Sequence, residues 1–600
     1  MSDNAPSPDQ PRRPADSKSA TGTVASPSQA RSTSVVSIAI LCSRVLGLVR
    51  DQLLNGLFGA HLTGIFTAAF RTPNMLRDLF AEGALSTAFV TTFSKRIKTE
   101  GDEAAWLLGR KMLALSICFM SMVSLAGIAL APWLVRLLNP GWDDPRSLAI
   151  CTELVRIMYP FITLVSVTAL VMGMLNSKKV FFIPALASAF FNLGCIIGGV
   201  VLAWFMDPGF RDGAITEKGL QAFAIGTLVG GVMQLAIQIP SLRRAGFRFG
   251  LDFKWRDKGV GEVLQLMWPS LIAAGGTQIG VLLNSIFASF TPGKESAVAW
   301  LANAQRLQQL PLGLFGVAVA TVTLPMLARL ATEGITPAFR GALAKGLRLV
   351  LFLTLPSAIG LSLLAEEIVS ILFQYGRFTA ADVAATAGPL QAYAFGLVFY
   401  SAIKVLQPAF YTIGRRFVPM QVSLGIIVFT ASVNGFTVFV LEWDHTALAW
   451  ATAAGLMLNF ATLYLCMKKF ANGLETRALL GALVRLAAGV ACMALVCLAA
   501  KATLLSGWAG MILLNKAAAL GGTVTVAADG TWSIDVSTAL AEGDHTVSAS
   551  ATDTLGNTAS TESDFEVDLC NTVAWLQPTV TGDTTPELSG TGEPGDTVVV

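Results

Sequence analysis

Arginines at an unusual depth are the most chemically informative feature of the sequence. Arg44, Arg50, Arg71 and Arg77 all lie in apolar stretches long enough to cross a bilayer. A charged side chain at the centre of a membrane helix costs roughly 2.5 to 3.5 kcal/mol even on a lenient insertion scale. A helix that begins near Ser34 would place Arg44 about 15 Å deep, near the bilayer midplane. These side chains therefore need partners, either within the protein or on a ligand.

Three carboxylates in the same stretches offer one set of partners. Asp51 lies seven residues after Arg44, and Asp78 lies seven residues after Arg71. Because residues seven apart fall near one helical face, ion pairing that joins two helices is one interpretation. Glu82 is the third carboxylate, so four arginines face three carboxylates and the stretches carry a net positive charge. Ionisable residues inside membrane spans commonly mark a substrate path, and we favour this second interpretation, a site for an anionic ligand.

The composition predicts a polytopic membrane protein. Of 600 residues, 53% are hydrophobic and 14% are charged, and the mean hydropathy is +0.61. The net charge of +3 gives no support to nucleic-acid binding. The eight cysteines and three histidines form no metal-ligand pattern, so no metal or cofactor is predicted. The sequence also contains no P-loop and no nucleophile elbow, which argues against an enzyme.

Thirteen apolar segments are each at least about 20 residues long, the length of a membrane span. They lie near 34–58, 62–93, 106–138, 149–176, 181–206, 218–241, 258–289, 295–329, 338–365, 383–412, 417–441, 445–469 and 478–504. Residues 1–33 are polar and rich in Ser, Pro and Ala, so we expect a disordered cytoplasmic tail before the first span.

Basic residues fix the predicted orientation. Every even-numbered connection is basic, whereas the odd-numbered connections are mixed or acidic. By the positive-inside rule the N-terminus is therefore cytoplasmic, and this topology satisfies every connection.

A weak internal repeat suggests two lobes. Aligning Arg71 with Arg306 also aligns Phe80-Ala81 with Phe315-Gly316. The spans that carry these residues have the same predicted orientation, as expected of parallel repeats of six helices. We predict lobes at 34–241 and 258–469 around a central cavity, followed by a thirteenth helix and the remnant of a fourteenth at 478–514.

The last part of the chain has a different composition. From about residue 521, polar and apolar residues alternate around an Asp529-Gly530 turn, which is typical of antiparallel strands. Residues 521–600 resemble the bacterial immunoglobulin-like repeats of surface adhesins. The first repeat lacks its opening strands and a second begins near Thr579, so we expect a partial sandwich in a truncated or composite chain.

Several ordered motifs resemble those of the MurJ (MviN) family of lipid II flippases, in the multidrug/oligosaccharidyl-lipid/polysaccharide (MOP) exporter superfamily. The resemblance covers roughly residues 34–505. Its motifs are Ser43–Asp51, Phe58–Ala60, Arg71–Ala84, Trp300–Arg306, Pro311–Pro325, Leu372–Thr379 and Lys404–Tyr411.

The resemblance implies a function as well as a fold. The expected cargo is the undecaprenyl-diphosphate-linked peptidoglycan precursor, carried by alternating access across the bacterial inner membrane to its periplasmic leaflet. Membrane lipids are the other expected partners, and the identity of a coupling ion is left open.

The resemblance also implies which residues bind the cargo. Matching arginines in the family line the central cavity, namely Arg44, Arg50, Arg77 and Arg306. The chemistry agrees, because the planar guanidinium fork of arginine stays charged and matches phosphate oxygens. Arg71 and Asn74 complete the predicted site. Supporting or gating roles are expected for Asp51, Pro73, Glu82 and Lys404, where Pro73 either bends or statically kinks its helix.

Two departures and several alternatives accompany this prediction. An Asp that usually follows Phe-Gly-Ala in the family is missing after Ala60, and the last family helix gives way to the β-like tail. Another lipid-linked polysaccharide exporter or an ion-coupled multidrug exporter of the same superfamily is the main alternative. A helix-anchored adhesin is a further one, although thirteen spans exceed what an anchor needs.

Overall fold

The computed structural model describes residues 27–79, 85–211 and 215–501, together with seven strand segments between 523 and 599. Two compact units divide the chain at residues 1–494 and 495–600. Residues 1–26 and Glu82 lie outside the described residues.

Helices make up almost all of the first unit. In chain order they are α1 (Pro27–Leu76), α2 (Ser86–Glu100), α3 (Asp102–Leu138), α4 (Pro145–Met158), α5 (Phe161–Ser177), α6 (Phe182–Met206), α7 (Pro208–Arg211), α8 (Glu217–Ala236), α9 (Ile239–Arg244), α10 (Lys258–Ala288), α11 (Lys294–Pro311), α12 (Val317–Ala331), α13 (Pro337–Leu363), α14 (Ala365–Phe373), α15 (Ala380–Thr412), α16 (Phe417–Phe439), α17 (His445–Phe470) and α18 (Thr476–Ala500). A short π-helical turn, Leu312–Gly316, joins α11 to α12.

Eleven helical segments in the described part of the chain are long and apolar enough to cross a membrane, which confirms an all-helical polytopic protein. The first two predicted spans fall in one segment, Leu41–Leu79, in which two helices meet at a kink at Gly59, where the backbone leaves helical geometry at φ 68°. The seventh predicted span, 258–289, coincides with α10, Lys258–Ala288.

The start of α1 also differs from the prediction. The helix begins at Pro27, seven residues before the expected start at Ser34. Proline suits the first position of a helix, because its ring fixes a helical φ and its missing N–H would have no partner there.

Two irregular turns occupy equivalent places in the internal repeat. Residues 77–79 adopt π-helical geometry shortly after Pro73. The alignment of Arg71 with Arg306 places this turn on 312–314, within the π-helical turn after Pro311. Such turns are rare and occur mostly at functional sites, so the repeat includes local geometry as well as sequence.

Five hydrophobic clusters hold the helices together in the described part of the chain, and three of them are large. One lies within residues 85–263, and a second lies within residues 319–467. The largest joins the two halves of the first unit, through side chains from Leu54 on α1 to Ala449 on α17. Large apolar residues also remain exposed on the outer helix faces, such as Trp133, Phe205 and Val322. Exposed apolar surface of this kind suits a lipid environment.

Close glycine contacts pack α6 against α8. A Cβ on Gly194 would lie 2.7 Å from the Cα of Gly230, and one on Gly226 would lie 2.6 Å from the backbone nitrogen of Gly199. Small residues at this spacing let two membrane helices approach closely. The packing fixes the helix that carries Asn192 beside α1.

The second unit contains seven strands: β1 (Thr523–Thr525), β2 (Thr531–Asp535), β3 (Gly543–Thr552), β4 (Thr558–Val567), β5 (Val580–Thr581), β6 (Glu587–Thr591) and β7 (Thr597–Val599). One sheet has the order β1-β7-β3-β4-β5, and β2 pairs with β6. The β3–β4 hairpin is antiparallel, with Gly543 opposite Val567. The partial immunoglobulin-like sandwich stays a prediction.

An ionic cluster ties the start of α10 to α2 and α3, on the predicted cytoplasmic side. Asp257 accepts hydrogen bonds from Arg96 (2.7 Å), Lys111 (2.8 Å) and the backbone of Gly259 (2.8 Å). Burial alone would raise the pKa of Asp257, but these hydrogen bonds and the charge of Arg96 hold the pKa well below its usual range.

We predict that Asp257→Asn lowers stability by about 2 kcal/mol at neutral pH, because it removes the charged partner of two cations. The pKa of this carboxyl is lower in the folded than in the unfolded state. Its stabilisation is therefore complete above about pH 5 and is lost progressively as the pH falls from about 4 toward the much lower pKa of the folded state. Thermal unfolding in detergent across this range measures the effect.

The matched control for this cluster is Glu262→Gln. Glu262 pairs with Lys95 in an exposed ion pair at 3.2 Å, and exposed pairs contribute only about 0 to 1 kcal/mol. Equal losses of stability in Asp257→Asn and Glu262→Gln would contradict the assignment of Asp257 as the centre of the cluster.

Candidate functional site

Asp51 on α1 joins two arginines from different halves of the first unit. Its Oδ1 accepts hydrogen bonds from Arg50 Nε (3.0 Å) and Nη2 (2.7 Å). Its Oδ2 lies 3.0 Å from Nε of Arg306, which is on α11. One carboxylate thus pairs with two cations and links α1 to α11. Arg50 and Asp51 keep only 18% of their side-chain surfaces exposed, so solvent screens this link weakly.

Glycines let two of the guanidinium groups lie against neighbouring helices. Arg44 donates to the backbone oxygen of Gln309 (2.9 Å) and covers Gly313. Arg306 in turn covers Gly47 on α1, where a Cβ would overlap its Nη2. Any larger residue at Gly47 or Gly313 would displace an arginine. The glycines therefore set the positions of the charges.

The fourth arginine has its own carboxylate. Arg77 donates to Asp78 Oδ1 through Nε (3.1 Å) and Nη2 (2.8 Å), and Asp78 Oδ2 lies 3.4 Å from Nε2 of Gln278. Arg306 interacts electrostatically with Arg50, Arg44 and Arg77. The structure therefore brings these four predicted arginines into one group, the arginine cluster.

The arginine cluster carries more positive than negative charge among the described residues. Arg44, Arg50 and Arg306 share one carboxylate, that of Asp51, which pairs with Arg50 and Arg306. Mutual repulsion of cations in a poorly screened site is unfavourable, so an anionic ligand would relieve it.

The other predicted residues lie beside the arginine cluster or apart from it. Arg71 is partly buried and interacts with the buried Tyr393 of α15, whose backbone oxygen accepts from Gln308 (2.6 Å). Lys404 lies over the ring of Tyr400, 5.0 Å from its centre. Pro73 is inside α1, and Asn74 is one residue further on and partly buried.

The expected pairing of residues seven apart is wrong for Arg44 and Asp51. Asp51 pairs with its neighbour Arg50 and with Arg306, whereas Arg44 binds a backbone oxygen. Asp78 likewise pairs with Arg77 rather than with Arg71. Seven residues span about 10 Å along a helix axis, which is too far for an ion pair even on one face.

A buried amide pair is a feature that the sequence reasoning missed. Asn55 Nδ2 donates to Asn303 Oδ1 (3.1 Å), and Asn303 Nδ2 donates to Asn55 Oδ1 (3.0 Å). Asn55 is fully buried and lies one turn after Asp51, while Asn303 lies one turn before Arg306. The sequence signal that could have revealed this pair is the presence of asparagine inside an apolar helix. The amide pair and the ion pair together form two successive links between the halves.

Comparison with known proteins identifies the family. The family model described as lipid II flippase MurJ matches residues 54–518. The lipid II flippase MurJ of Burkholderia cenocepacia is 34% identical over 445 residues, which cover 73% of this chain and 84% of the relative. A probable lipid II flippase MurJ from Vibrio cholerae is 34% identical over 441 residues, covering 72% and 81% respectively. The chain belongs to the MurJ family.

Solved structures agree with this assignment. A lipid II flippase MurJ in an inward closed conformation matches with a TM-score of 0.63 and 25% identity, covering 77% of this chain and 92% of the other. An inward-facing MATE multidrug transporter of the MOP superfamily matches with a TM-score of 0.61 and 15% identity, covering 72% and 94%. The second similarity shows a shared fold alone. A bacterial Ig-like domain model matches residues 511–569.

The two halves of this MurJ-family chain also meet near the Gly59 bend, on the predicted extracytoplasmic side. The backbone N–H of Arg377 donates to the oxygen of Gly56 (2.8 Å), and its Nη1 donates to the oxygen of Ile215 (2.9 Å). Gly64 packs directly on the backbone of Glu295. These backbone contacts close the molecule on that side, and we name them the outer closure.

We predict that Gly64→Ala opens the outer closure, because the new Cβ would overlap the carbonyl oxygen of Glu295. Overpacking of this kind costs about 1 to 3 kcal/mol, which lowers the ratio of closed to open molecules about fivefold to more than a hundredfold. Spin labels at His61→Cys and Ala380→Cys, in a background without native cysteines, should report a longer distance.

Gly425→Ala serves as the matched control, since nothing lies within 4 Å of a Cβ at Gly425 in the helix α16. The labels should keep the wild-type distance in this variant. An unchanged distance in Gly64→Ala would mean that the contact with Glu295 does not hold the closure.

Proposed function

We propose that this chain moves lipid II from the cytoplasmic to the periplasmic leaflet of the bacterial inner membrane, and that the arginine cluster binds the diphosphate of the cargo. The observation that carries the proposal is the grouping of four arginines from both halves, two of which, Arg50 and Arg306, pair with Asp51. The names of the MurJ relatives support the choice of cargo.

The chemistry of the cluster suits a diphosphate. A diphosphate presents several anionic oxygens within a few ångströms of one another, and each guanidinium group offers paired donors in a fixed plane. Arg44, Arg50 and Arg77 come from the N-terminal half, whereas Arg306 comes from the C-terminal half. A ligand bound by arginines of both halves would therefore affect the packing of one half against the other.

Alternating access follows from the same arrangement. We infer that the predicted lobes, 34–241 and 258–469, surround a central cavity and that the N-terminus is cytoplasmic. With the outer closure formed, the diphosphate would enter from the cytoplasmic side. It would displace part of the Asp51–Arg306 interaction, and separation of the outer closure would then release it to the periplasmic leaflet.

The remaining predicted residues take supporting roles in this proposal. Arg71 and Asn74 extend the polar surface beyond the arginine cluster, and Pro73 lets the helix adjust near the π-helical turn at 77–79. Glu82 would pair with an arginine and exchange partners during transport. Lys404 would add a cation on the side of the C-terminal half.

A cationic-drug exporter fits the site less well, although its fold is shared. The solved MATE transporter is similar in architecture at 15% identity. Fold alone does not determine cargo, which is selected by the residues of the site. An excess of arginine would repel a cationic drug and attract a phosphorylated lipid.

We expect Arg306→Ala and Arg44→Ala to reduce transport about tenfold or more, because each removes charge-assisted hydrogen bonds worth about 1.5 to 3 kcal/mol. The assay depletes the resident flippase of a bacterium, expresses the chain and measures labelled lipid II at the periplasmic face. Arg146→Ala is the control, since Arg146 is 78% exposed and pairs with Glu217. Wild-type transport rates in both Arg306→Ala and Arg44→Ala, at equal amounts of protein in the membrane, would overturn the proposed site.

We also propose that the tail takes no part in transport. Residues 1–515 contain every residue of the arginine cluster and the thirteenth predicted helix, and lack the predicted β repeats at 521–600. This shorter chain should therefore transport lipid II at the rate of the full chain in the same assay. A loss of transport, with normal membrane insertion, would instead assign the tail a role in the mechanism.

A further inference from the structure

A cavity of about 880 Å³ lies where α3 ends and α4 begins, lined by none of the residues of the arginine cluster. The candidate membrane segment of α3 ends at Leu138, and the next begins at Pro145. The cavity is therefore at the level where lipid headgroups meet the protein. The side chains that carry the following argument are Arg136, Asn139, Trp142, Glu153 and Arg156.

Two buried polar atoms at this cavity have no partner within the described part of the chain. Asn139 is 3% exposed, and its Nδ2 donates to the oxygen of Val135 (3.1 Å), but its Oδ1 accepts no hydrogen bond. Trp142 is 4% exposed, and its Nε1 donates to no acceptor. Buried polar groups are nearly always satisfied, so the pair leaves one acceptor and one donor unused beside the cavity. Both atoms are almost fully shielded, so a ligand would reach them only if the two side chains turned toward the cavity.

Three charged side chains add a second, independent indication. Arg136, Arg156 and Glu153 line the cavity and are exposed, and none forms an ion pair with a described residue. Asp143, which also lines the cavity, already pairs with Lys294. The cavity thus presents two guanidinium groups and one carboxylate to the same ligand.

The surface beside the cavity is apolar. Trp133 and Leu137, on the last turns of α3, are 75% and 68% exposed, as expected of side chains that face acyl chains. Trp133 also suits the membrane interface, where tryptophan is enriched. A ligand with a polar, doubly charged head and a long apolar portion would match the charges and the apolar surface together.

We propose that this cavity binds the headgroup of a zwitterionic phospholipid with a primary ammonium, of the phosphatidylethanolamine type, in the outer leaflet. Arg136 and Arg156 bind the phosphate. Glu153 accepts a hydrogen bond from the ammonium. Phosphatidylcholine has no N–H to donate, and phosphatidylglycerol has no cation for Glu153, so both are poorer ligands.

The test measures lipid binding to the full, delipidated chain by native mass spectrometry. The protein is titrated with phosphatidylethanolamine, phosphatidylcholine or phosphatidylglycerol that carry identical acyl chains. We expect phosphatidylethanolamine to bind about tenfold more tightly than phosphatidylcholine, because the carboxylate gains a charge-assisted hydrogen bond. Equal binding of these two lipids, or preferred binding of phosphatidylglycerol, overturns the proposal.

Three variants locate the site. Glu153→Gln should bring the ratio between phosphatidylethanolamine and phosphatidylcholine close to one, and Arg156→Gln should weaken all three lipids about tenfold. Arg146→Gln is the control on the same helix, because Arg146 does not line the cavity. This variant should bind all three lipids as the wild type does. Thermal unfolding of each lipid-free variant shows whether it is folded. An unchanged lipid ratio in folded Glu153→Gln also overturns the proposal.

Discussion

The ion pair between Asp51 and Arg306 is the interaction on which the arrangement of the site depends. It is a link of 3.0 Å between α1 and α11, which belong to different halves of the first unit. Removing one partner of a poorly solvated ion pair is strongly unfavourable, because the other charge stays behind without compensation. If Asp51 were removed, the charge of Arg306 would also face the charges of Arg50 and Arg44.

The same constraint explains the residues around the pair. Because Gly47 has no side chain, Arg306 has room against α1. Gly313 gives Arg44 room against the π-helical turn in the same way. The amide pair of Asn55 and Asn303 fixes the two helices one turn further along. An anion that competes for Arg306 would therefore act on the contact between the halves. In the proposed mechanism, one carboxylate would in this way link cargo binding to conformational change.

Much of this arrangement was predictable from the sequence, because the cost of a charge in a membrane is large and local. This cost singled out Arg44, Arg50, Arg71 and Arg77, whereas Arg306 was added by the internal repeat and the family resemblance. The structure groups Arg44, Arg50 and Arg77 with Arg306. Their partners were less predictable. Spacing along a helix indicates a shared face, but pairing also requires a short axial distance, so Arg44 and Asp51 do not pair.

Contacts between distant parts of the chain were beyond sequence reasoning. The Asn55–Asn303 pair joins residues 248 positions apart, and no periodic pattern specifies which asparagine faces which. The two π-helical turns were equally hidden, although the repeat that contains them was recognised. The bend at Gly59, in contrast, falls between the first two predicted spans.

The most direct test of the central claim compares ligands that differ by one phosphate. Native mass spectrometry of the purified chain would measure the affinities of undecaprenyl diphosphate and undecaprenyl monophosphate, for wild type and for Arg306→Gln. A site built from arginines of both halves predicts that wild type clearly prefers the diphosphate and that Arg306→Gln loses most of this preference. Equal affinity of wild type for the two lipids, or an undiminished preference in Arg306→Gln, would contradict the role assigned to the arginine cluster.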